Sequence, residues 1–207
     1  MTVPVLPDPE LPLFPLRTVL FPEGLLELKV FEARYLDLMS RCMRETRSFG
    51  VVCLKSGAEA RVSGDAVLLH DVGTLAELIE VDSAQVGILA VRCRGSHRFA
   101  LGATYQQADG LWLGAASALG DDPVVAPDPV HAGIVESLAE AIASLAAQGA
   151  KPFLEPHRFD NAGWVANRWC EILPLPLDAR QRLMTIADPL ARLDIVDSLL
   201  RVSHGTH

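Results

Sequence analysis

The hydrophobic pattern changes period once in the opening part of the chain, and this change limits the available folds more than any other feature. Two short apolar runs, residues 11–16 and 25–30, predict β-strands, and residues 21–24 predict the turn between them. From Glu32 onward, apolar side chains recur at helical spacing, which predicts an amphipathic helix of about three to four turns. Its expected buried stripe is Tyr35, Leu38, Met39, Cys42 and Met43. Strands that lead into a helix favour a mixed α+β architecture.

Proline and glycine shape this opening stretch. Pro22 fixes φ within the turn, and Gly24 is expected to supply a positive φ there. Pro12 and Pro15 lie inside the first apolar run and remove two backbone hydrogen-bond donors. The first strand is therefore predicted to be an edge strand, or a strand with irregular pairing.

More short strands are predicted up to about residue 119. Residues 49–54 are a continuous apolar run typical of a buried strand, and a polar surface loop is expected at 55–65. Gly73 lies in a predicted strand and indicates a close approach of two backbones. Hairpin turns are predicted at Arg94–His97 and at Asp109–Gly110. The predicted strands around these turns are 72–79, 86–91, 98–105 and one that starts at 111. A small mixed barrel with one inserted helix fits this pattern.

The composition changes at residue 121. Three prolines within 121–129 predict a linker, after which apolar residues follow helical periods. Asp128-Pro129 and Asp188-Pro189 each combine an N-cap residue with proline at the first helical position. Asp178 and Gln181 have the spacing of a capping box. The predicted helices begin near 129, 164, 178 and 189, and the first ends at Gly149.

The order of LPLFPLR, LFPEG and VFEARYLDLM resembles the opening of the Lon protease N-terminal (substrate-binding) domain family. The final stretch, LPLPLDARQRLMTIADPLARLDIVDSLL, resembles the helical end of the same family. The resemblance implies an α+β fold, an N-terminal PUA-like β pseudo-barrel with one inserted helix followed by a C-terminal helical subdomain. The implied boundaries are 1–120 for the PUA-like subdomain, 121–128 for a linker and 129–207 for the helical subdomain. Ala33 departs from the family pattern, where proline is common.

The residues that match the family signature are expected to serve mainly the fold. Glu32 favours the helix N-terminus through the helix dipole, while Arg34 and Tyr35 are expected to tie the helix to the barrel. The full set is Phe14, Pro15, Leu16, Arg17, Phe21, Pro22, Gly24, Phe31, Glu32, Arg34 and Tyr35. Outside the signature, Trp112 is the best candidate for a protein contact if its side chain is exposed.

The resemblance implies the recognition part of a protease without its catalytic machinery. No GxxxxGK[ST] motif for a nucleotide occurs; the nearest approach, Gly149-Ala150-Lys151, lacks the upstream glycine and the hydroxyl residue. The chain is thus expected to be a stand-alone member that lacks the ATPase and Ser-Lys peptidase modules and is not an enzyme. The predicted function is non-catalytic recognition of unfolded or extended polypeptide segments, with a protease or chaperone as a further partner. The expected site is an apolar groove between barrel and helices, or an exposed strand edge.

Motifs for metal binding and covalent catalysis are not evident. The six histidines include no HExxH pair, and the four cysteines include no CxxC pair, so no metal and no cofactor are expected. Cys42, Cys53, Cys93 and Cys170 are expected to be buried free thiols. Ser96 lacks the second glycine of a GxSxG nucleophile elbow. A small-molecule hydrolase stays open as an alternative, and it requires a Ser or Cys that meets a His.

The charge distribution favours a polypeptide over nucleic acid as the partner. The formal charge is −8; residues 1–104 carry 11 Lys/Arg against 13 Asp/Glu, and 105–207 carry 7 against 13. Acidic surfaces disfavour phosphate backbones and anionic lipid. An RNA-binding PUA-like module stays open as an alternative because Arg41, Arg44 and Arg47 cluster at the end of the first helix. No apolar run approaches roughly 18 residues, so neither a signal peptide nor a membrane span is predicted and cytoplasmic residence is expected.

Overall fold

The computed structural model describes residues 10–57 and 67–204. The chain divides into two compact units, Met1–Gly120 and Asp121–His207, which we call the β unit and the helical unit. Most of the surface loop predicted at 55–65 falls outside the described residues.

In residues 10–57 and 67–120, the β unit consists of a six-stranded sheet and one helix. Its strands are β1 (Glu10–Leu16), β2 (Leu25–Val30), β3 (Phe49–Ser56), β4 (Leu68–Gln85), β5 (Ile88–Gln106) and β6 (Trp112–Ala118), and α1 (Ala33–Glu45) follows β2. The strand order is β2-β5-β4-β3-β1-β6, and a further β5–β6 pairing closes five of the strands into a ring. The predicted α+β class is confirmed, and β2 lies outside the ring because it pairs with β5 alone.

Apolar side chains cover both faces of the sheet. The helix-side cluster contains Tyr35, Leu38, Met39 and Cys42 of α1, as the helical period predicts. Met43 departs from the prediction, since 48% of its surface is exposed. The strand residues of this cluster are Phe14, Leu16, Val30, Phe49, Val51, Ala76, Val91, Cys93 and Leu113, with Leu20 and Leu111 beside them. A second cluster on the alternate strand positions contains Leu11, Leu13, Val52, Leu75 and Phe99.

Strand β1 is not an edge strand of the sheet, but its pairing is irregular, which was the second of the two predicted possibilities. Residues 10–13 pair with β6 antiparallel, and residues 13–16 pair with β3 in parallel. Pro12 and Pro15 therefore each lie in a half-strand that has one pairing partner. A strand paired on one side tolerates a missing donor, which explains why two prolines are accepted in the interior of the sheet.

The predicted hairpin turn at Arg94–His97 is wrong, because β5 continues through these residues. A Cβ atom at Gly95 would lie 2.2 Å from the Phe21 carbonyl oxygen, so this glycine allows two backbones to meet. The turn that joins β4 to β5 contains Gly87, with φ of +80°. The turn before β2 also differs in detail, since Glu23 and not Gly24 has the positive φ, +60°.

The described part of the helical unit, residues 121–204, contains four α-helices. They are α2 (Ala132–Ala147), α3 (Ala162–Ile172), α4 (Leu177–Thr185) and α5 (Pro189–His204), and a 3-10 turn at Pro129–His131 precedes α2. The Asp188 carboxylate accepts hydrogen bonds from the backbone N–H groups of Leu190 and Ala191, so the predicted cap is confirmed. The predicted capping box is wrong, because α4 begins at Leu177 and Asp178 lies inside its first turn.

Two fully buried arginines organise the core of this unit. Arg192 donates to Asp122 Oδ2 at 2.7 Å, to Asn167 Oδ1 at 2.8 Å and to the carbonyl oxygens of Leu183 and Ile186. The stretch 121–128 is held to the same unit, since the Ala162 N–H also donates to the Val125 carbonyl at 2.9 Å.

One helical segment departs from the expectation of no membrane-length apolar helix. Pro129–Ala147 spans 19 residues with a mean hydropathy of 1.3, which is long and apolar enough to cross a membrane by length and composition alone. Core helices of globular proteins meet the same criterion, so this is weak evidence for a span. Ile134, Leu138 and Ile142 on this helix are buried within the protein.

Candidate functional site

Most of the signature residues lie inside the β unit. The Phe14 ring stacks on the Tyr35 ring with centroids 3.9 Å apart and planes 10° apart, which joins β1 to α1. Phe49 of β3 approaches the same Phe14 ring at 6.2 Å. Leu16 belongs to the same apolar cluster, and Pro15, between Phe14 and Leu16 in the chain, is buried as well. These contacts make the aromatic part of the signature a strand-to-helix anchor.

Arg34 ties α1 to the β5–β6 turn. Its guanidinium donates to the Gly110 carbonyl oxygen at 2.7 Å, pairs with the Glu32 carboxylate at 2.8 Å and lies 4.6 Å from the centroid of the Tyr35 ring. The residue is 7% exposed, so this charge is nearly removed from solvent and needs these partners.

The turn of the signature is joined to β5. Phe21 is fully buried, the Glu23 N–H donates to the Gly95 carbonyl at 2.8 Å, and the Gly95 N–H donates to the Gly24 carbonyl at 2.9 Å. Pro22 lies in the same turn, half-buried. The requirement for this backbone contact explains the glycine at position 95.

Two signature residues lie on the surface. Arg17 is exposed, and its guanidinium donates to the Gly57 carbonyl at 2.7 Å. Phe31 follows the last residue of β2 and is 63% exposed, although its neighbour Val30 is only 2% exposed. A large exposed aromatic side chain adds little to a core, which distinguishes Phe31 from the other aromatic members of the signature.

Phe31 adjoins a part of the sheet that we call the sheet extension, residues 25–30, 77–85 and 88–94. Here β5 lies between β2 and the second half of β4, with Leu28 opposite Val91 and Val81 opposite Val91 on the other side. One face of the extension is apolar and continues the helix-side cluster. Its partly buried members are Leu26, Leu28, Leu78, Val81 and Leu89, together with Leu36 of α1.

The opposite face of the extension is charged and internally neutralised. Arg92 pairs with Glu80 at 3.0 Å and with Glu27 at 3.3 Å, while Arg94 pairs with Glu77 at 2.7 Å. Cross-strand pairs of opposite charge suit a solvent-facing sheet surface. The extension is therefore amphipathic, with a partly exposed apolar face and a solvated charged face.

The extension also has open edges. Strand β2 pairs with β5 on one side, and no other strand among residues 10–57 and 67–204 pairs with it. Residues 77–85 of β4 extend past the last β3 pair, Phe49 with Ala76, and pair with β5 alone. An open edge presents backbone N–H and C=O groups that can accept a further strand.

Trp112 is half-buried and packs against the second cluster. Its neighbours Leu111 and Leu113 point to the helix-side cluster and are 1% and 5% exposed. The structure thus places Trp112 in contact with the core, away from the sheet extension.

The described residues show little that suggests covalent chemistry. All four cysteines are buried and free, and burial raises the pKa of Cys42 to about 11 and those of Cys93 and Cys170 to about 12. Thiols with such pKa values are poor nucleophiles near neutral pH. The Ser96 hydroxyl donates to the Leu75 carbonyl oxygen at 3.4 Å. Within 10–57 and 67–204, no group of three or more His, Cys, Asp or Glu side chains is placed to hold a metal ion.

Besides the sheet extension, each unit has a concave site. A pocket of about 200 Å³ lies at the end of α1, between Arg41, Leu38 and residues of β1 and β6. A larger groove of about 620 Å³ lies on the helical unit, along α2 and α5.

Comparison with known proteins places the chain clearly. The family model described as the ATP-dependent protease La (LON) substrate-binding domain matches residues 10–202. The crystal structure of a Lon N-terminal domain protein from Xanthomonas campestris is 31% identical, with a TM-score of 0.72, and covers 91% of this chain and 97% of its own. The N-terminal domain of a Mycobacterium avium complex Lon protease shares the fold at 13% identity and a TM-score of 0.59, covering 90% of this chain and 95% of its own. No curated protein matches the chain.

The sheet extension was not predicted from the sequence. Its signal was the alternation Leu26, Leu28, Val30, which predicts a strand with one apolar face. The pattern does not show how much of that apolar face other elements cover. The covering elements, α1 and the neighbouring strands, lie outside the β2 segment.

Proposed function

The chain belongs to the family of the Lon substrate-binding domain, and from that membership we propose that it binds extended polypeptide segments without changing them chemically. The observation that carries the proposal is the sheet extension, where the open edge of β2 borders a partly exposed apolar face. An unfolded segment offers both unpaired backbone groups and exposed apolar side chains, and the extension complements both.

The binding mode follows from strand geometry. A segment that lies alongside β2 forms main-chain hydrogen bonds with its outward N–H and C=O groups. Successive side chains of a strand point to opposite faces, so alternate residues of the segment lie on the apolar face beside Leu26 and Leu28. The main-chain bonds are independent of sequence, and the apolar contacts require only hydrophobic side chains at alternate positions. The expected binding is therefore weak and degenerate.

Phe31 lies at one end of the open edge of β2. It lies directly after Val30, at the point where β2 leads into α1, and 63% of its surface is exposed. Aromatic residues contribute strongly when a partner covers them, because they bury a large apolar area with little conformational freedom to lose. Phe31 is thus the proposed anchor for a bound segment.

Within the same proposal, the site of action is the cytoplasm, and a separate protease or chaperone receives the bound segments. The four buried free cysteines support a reducing compartment. The RNA-binding alternative gains no support from the sheet extension, because Arg92 and Arg94 are neutralised by carboxylates. Arg47, after the end of α1, also pairs with a carboxylate, that of Glu45. Nucleic-acid contact requires uncompensated basic groups.

Fluorescence anisotropy with a labelled unfolded polypeptide tests the proposal. We expect saturable binding in the micromolar range, and Phe31→Ala is expected to weaken it about fivefold or more. Tyr105→Ala is the matched control, since Tyr105 is an exposed aromatic at 47% and lies at the far end of β5. No binding at high micromolar concentration, or equal losses in the two variants, would contradict the proposal.

A second experiment tests strand addition itself. Two forms of one apolar peptide carry N-methyl groups on alternate backbone nitrogens, either the odd or the even set. A peptide paired along β2 directs only one of these sets toward the strand, so one methylated form is expected to lose binding much more than the other. Unchanged affinity of both forms relative to the unmodified peptide excludes addition to the edge.

A further inference from the structure

The groove on the helical unit is a second site with a different character. It is about 620 Å³ in volume, and its apolar floor includes Ile134, Trp169 and Leu200. The Trp169 indole N–H donates to the Ile134 carbonyl at 3.1 Å, so the ring offers its apolar surface to an occupant and has no donor left to satisfy. The whole groove lies within the helical unit.

Helix α2 forms one wall of this groove and carries more apolar surface than its own unit covers. Only 22% of the most apolar window of segment Pro129–Ala147 is buried, despite its mean hydropathy of 1.3. Val130, at the start of the segment, is 68% exposed and lines the groove. Such an uncovered apolar helix face favours contact with another apolar surface.

The shape of the wall fits a helix. The residues of α2 that line the groove are mostly small: Gly133, Ser137, Ala141 and Ser144. They recur at helical spacing along one face, and small residues let a second helix approach to within about 8 Å. A helix of 16 residues is about 24 Å long, so an occupant of about four turns matches α2.

The charges of the groove select the occupant. Asp197 and Arg201 of α5 neutralise one another at 2.7 Å, and Glu140 is left with no ion-pair partner among the described residues. Glu136, also exposed, lies one turn before Glu140 on the same helix. The lining of a second copy would offer Glu140 no basic group that is not already paired, and the Glu140 carboxylate disfavours anionic lipid.

We propose that this groove binds an amphipathic helix of a partner protein, with an apolar stripe flanked by Lys or Arg. The apolar stripe lies on Ile134, Trp169 and Leu200, and a basic side chain of the partner meets Glu140. This mode is helix-in-groove recognition, with anchors at helical spacing. It is independent of the binding proposed for β2, because the two sites share no residue.

Two designed helical peptides of about 16 residues test the inference with the full chain. Both carry the same leucine stripe; one has Lys and the other Glu on the flanking positions. We expect the Lys peptide to bind in the micromolar range, at least tenfold more tightly than the Glu peptide, with an affinity that falls as salt rises. Equal binding of the two peptides, or no binding of either at millimolar concentration, overturns the proposal.

Substitutions in α2 locate the site. Gly133→Leu fills the groove, and it is compatible with folding because a Cβ there meets no atom within 4 Å. It is expected to abolish binding of the Lys peptide, while Ala146→Leu, on the same helix and outside the groove lining, leaves binding unchanged. Glu140→Lys is expected to weaken binding at least fivefold, and Glu136→Lys, the same charge change outside the lining, to weaken it less.

Three results overturn the assignment of the occupant. Equal effects of Gly133→Leu and Ala146→Leu place the peptide elsewhere. A dimer in sedimentation analysis that Gly133→Leu dissociates makes a second copy of this chain the occupant. Flotation of the protein with phosphatidylcholine vesicles, lost in Gly133→Leu, makes a lipid surface the occupant.

Discussion

The β unit and the helical unit bury different kinds of side chain. In the β unit, two apolar clusters lie on alternate strand positions, and the buried charged residues Arg34 and Arg98 are 7% and 4% exposed. In the helical unit, the two largest fully buried side chains are Arg168 and Arg192. An apolar core tolerates exchanges of similar volume, whereas a buried cation requires every one of its partners. The two units should therefore fail for different reasons.

The partners of Arg192 come from distant parts of the chain, whereas those of Arg168 lie closer in sequence. Arg192 joins α5 to Asn167 of α3 and to Asp122, which lies 70 positions earlier. Arg168 pairs with Glu171 at 3.0 Å and lies 5.5 Å and 5.6 Å from the rings of Phe153 and Trp164. The Arg192 contacts connect α5 to α3 and to the stretch that precedes α2, so they cross-link the unit.

The sharpest test of the contrast is Arg192→Met. The substitution keeps much of the side-chain volume but leaves the Asp122 carboxylate without its cation, and we expect a loss of about 3–5 kcal/mol in the free energy of unfolding. Urea denaturation followed by circular dichroism measures it. Arg201→Met is the control, since its pair with Asp197 is exposed and should matter little. Similar losses in the two variants would show that the buried network does not hold the unit together.

In the β unit, the corresponding test is steric and asks whether a side chain fits at Gly95. A Cβ at Gly95 would meet the Phe21 carbonyl at 2.2 Å, and backbone atoms there cannot move aside, so Gly95→Ala should cost about 2 kcal/mol. Gly102→Ala, on the same strand, places its Cβ 3.4 Å from the Ala115 carbonyl and should change stability by less than about 0.5 kcal/mol. The comparison uses urea midpoints, and a neutral Gly95→Ala would refute the close backbone contact.

The smallest expected effect is a pH dependence of the free energy of unfolding that arises in the helical unit, from Glu171. Burial raises the pKa of the Glu171 carboxyl to about 7, against the opposing attraction of Arg168 and Arg180. The folded state therefore binds a proton that the unfolded state releases near pH 4.5, and stability from this group is highest below that pH. It falls as the pH rises through about 7. Because Glu171 keeps 18% of its side chain exposed, we expect a loss of about 1–2 kcal/mol.

Denaturation of the wild type and of Glu171→Gln at pH 5 and pH 8 measures this term. For each protein, the change in the free energy of unfolding between pH 5 and pH 8 is the slope of interest. The difference between the two slopes isolates Glu171 from other groups that titrate in the same range. Identical slopes would mean that the carboxyl is ionised throughout and that Arg168 outweighs the effect of burial.

The helical unit followed its sequence pattern more closely than the β unit did. The helix starts predicted near 164, 178 and 189 lie within two residues of those observed, whereas the predicted strands 86–91 and 98–105 belong to one strand, β5. The period change at Glu32 predicted β2 and α1 because apolar spacing reports directly which face is buried. Gly95 was misread, because glycine marks both turns and close backbone contacts, and only Phe21, 74 positions earlier, distinguishes them. Pro12 and Pro15 predicted irregular pairing of β1 from the sequence. Which strands pair with each half of β1 could not be predicted, because it depends on the positions of β3 and β6.

Buried arginines and the candidate sites were beyond this kind of reasoning. Charged residues are mostly exposed, so Arg168 and Arg192 carry no sign of burial until their partners are known. The exposure of Phe31 was hidden for the opposite reason, since an aromatic residue between two apolar segments is expected in a core. In both cases the deciding quantity is which elements cover the residue, and that is a property of the folded chain.

Strand β5 gives the β unit a mechanical property. Its 19 residues run without interruption from the pairs with β2 and β4 to the pairs with β6 inside the closed ring. A polypeptide held along β2 and pulled along its own axis loads the six β2–β5 residue pairs in shear, so they resist together and do not open one after another. The force then passes along one continuous backbone into the ring. A polypeptide bound as proposed and placed under tension would therefore be held along the stiffest direction of the sheet.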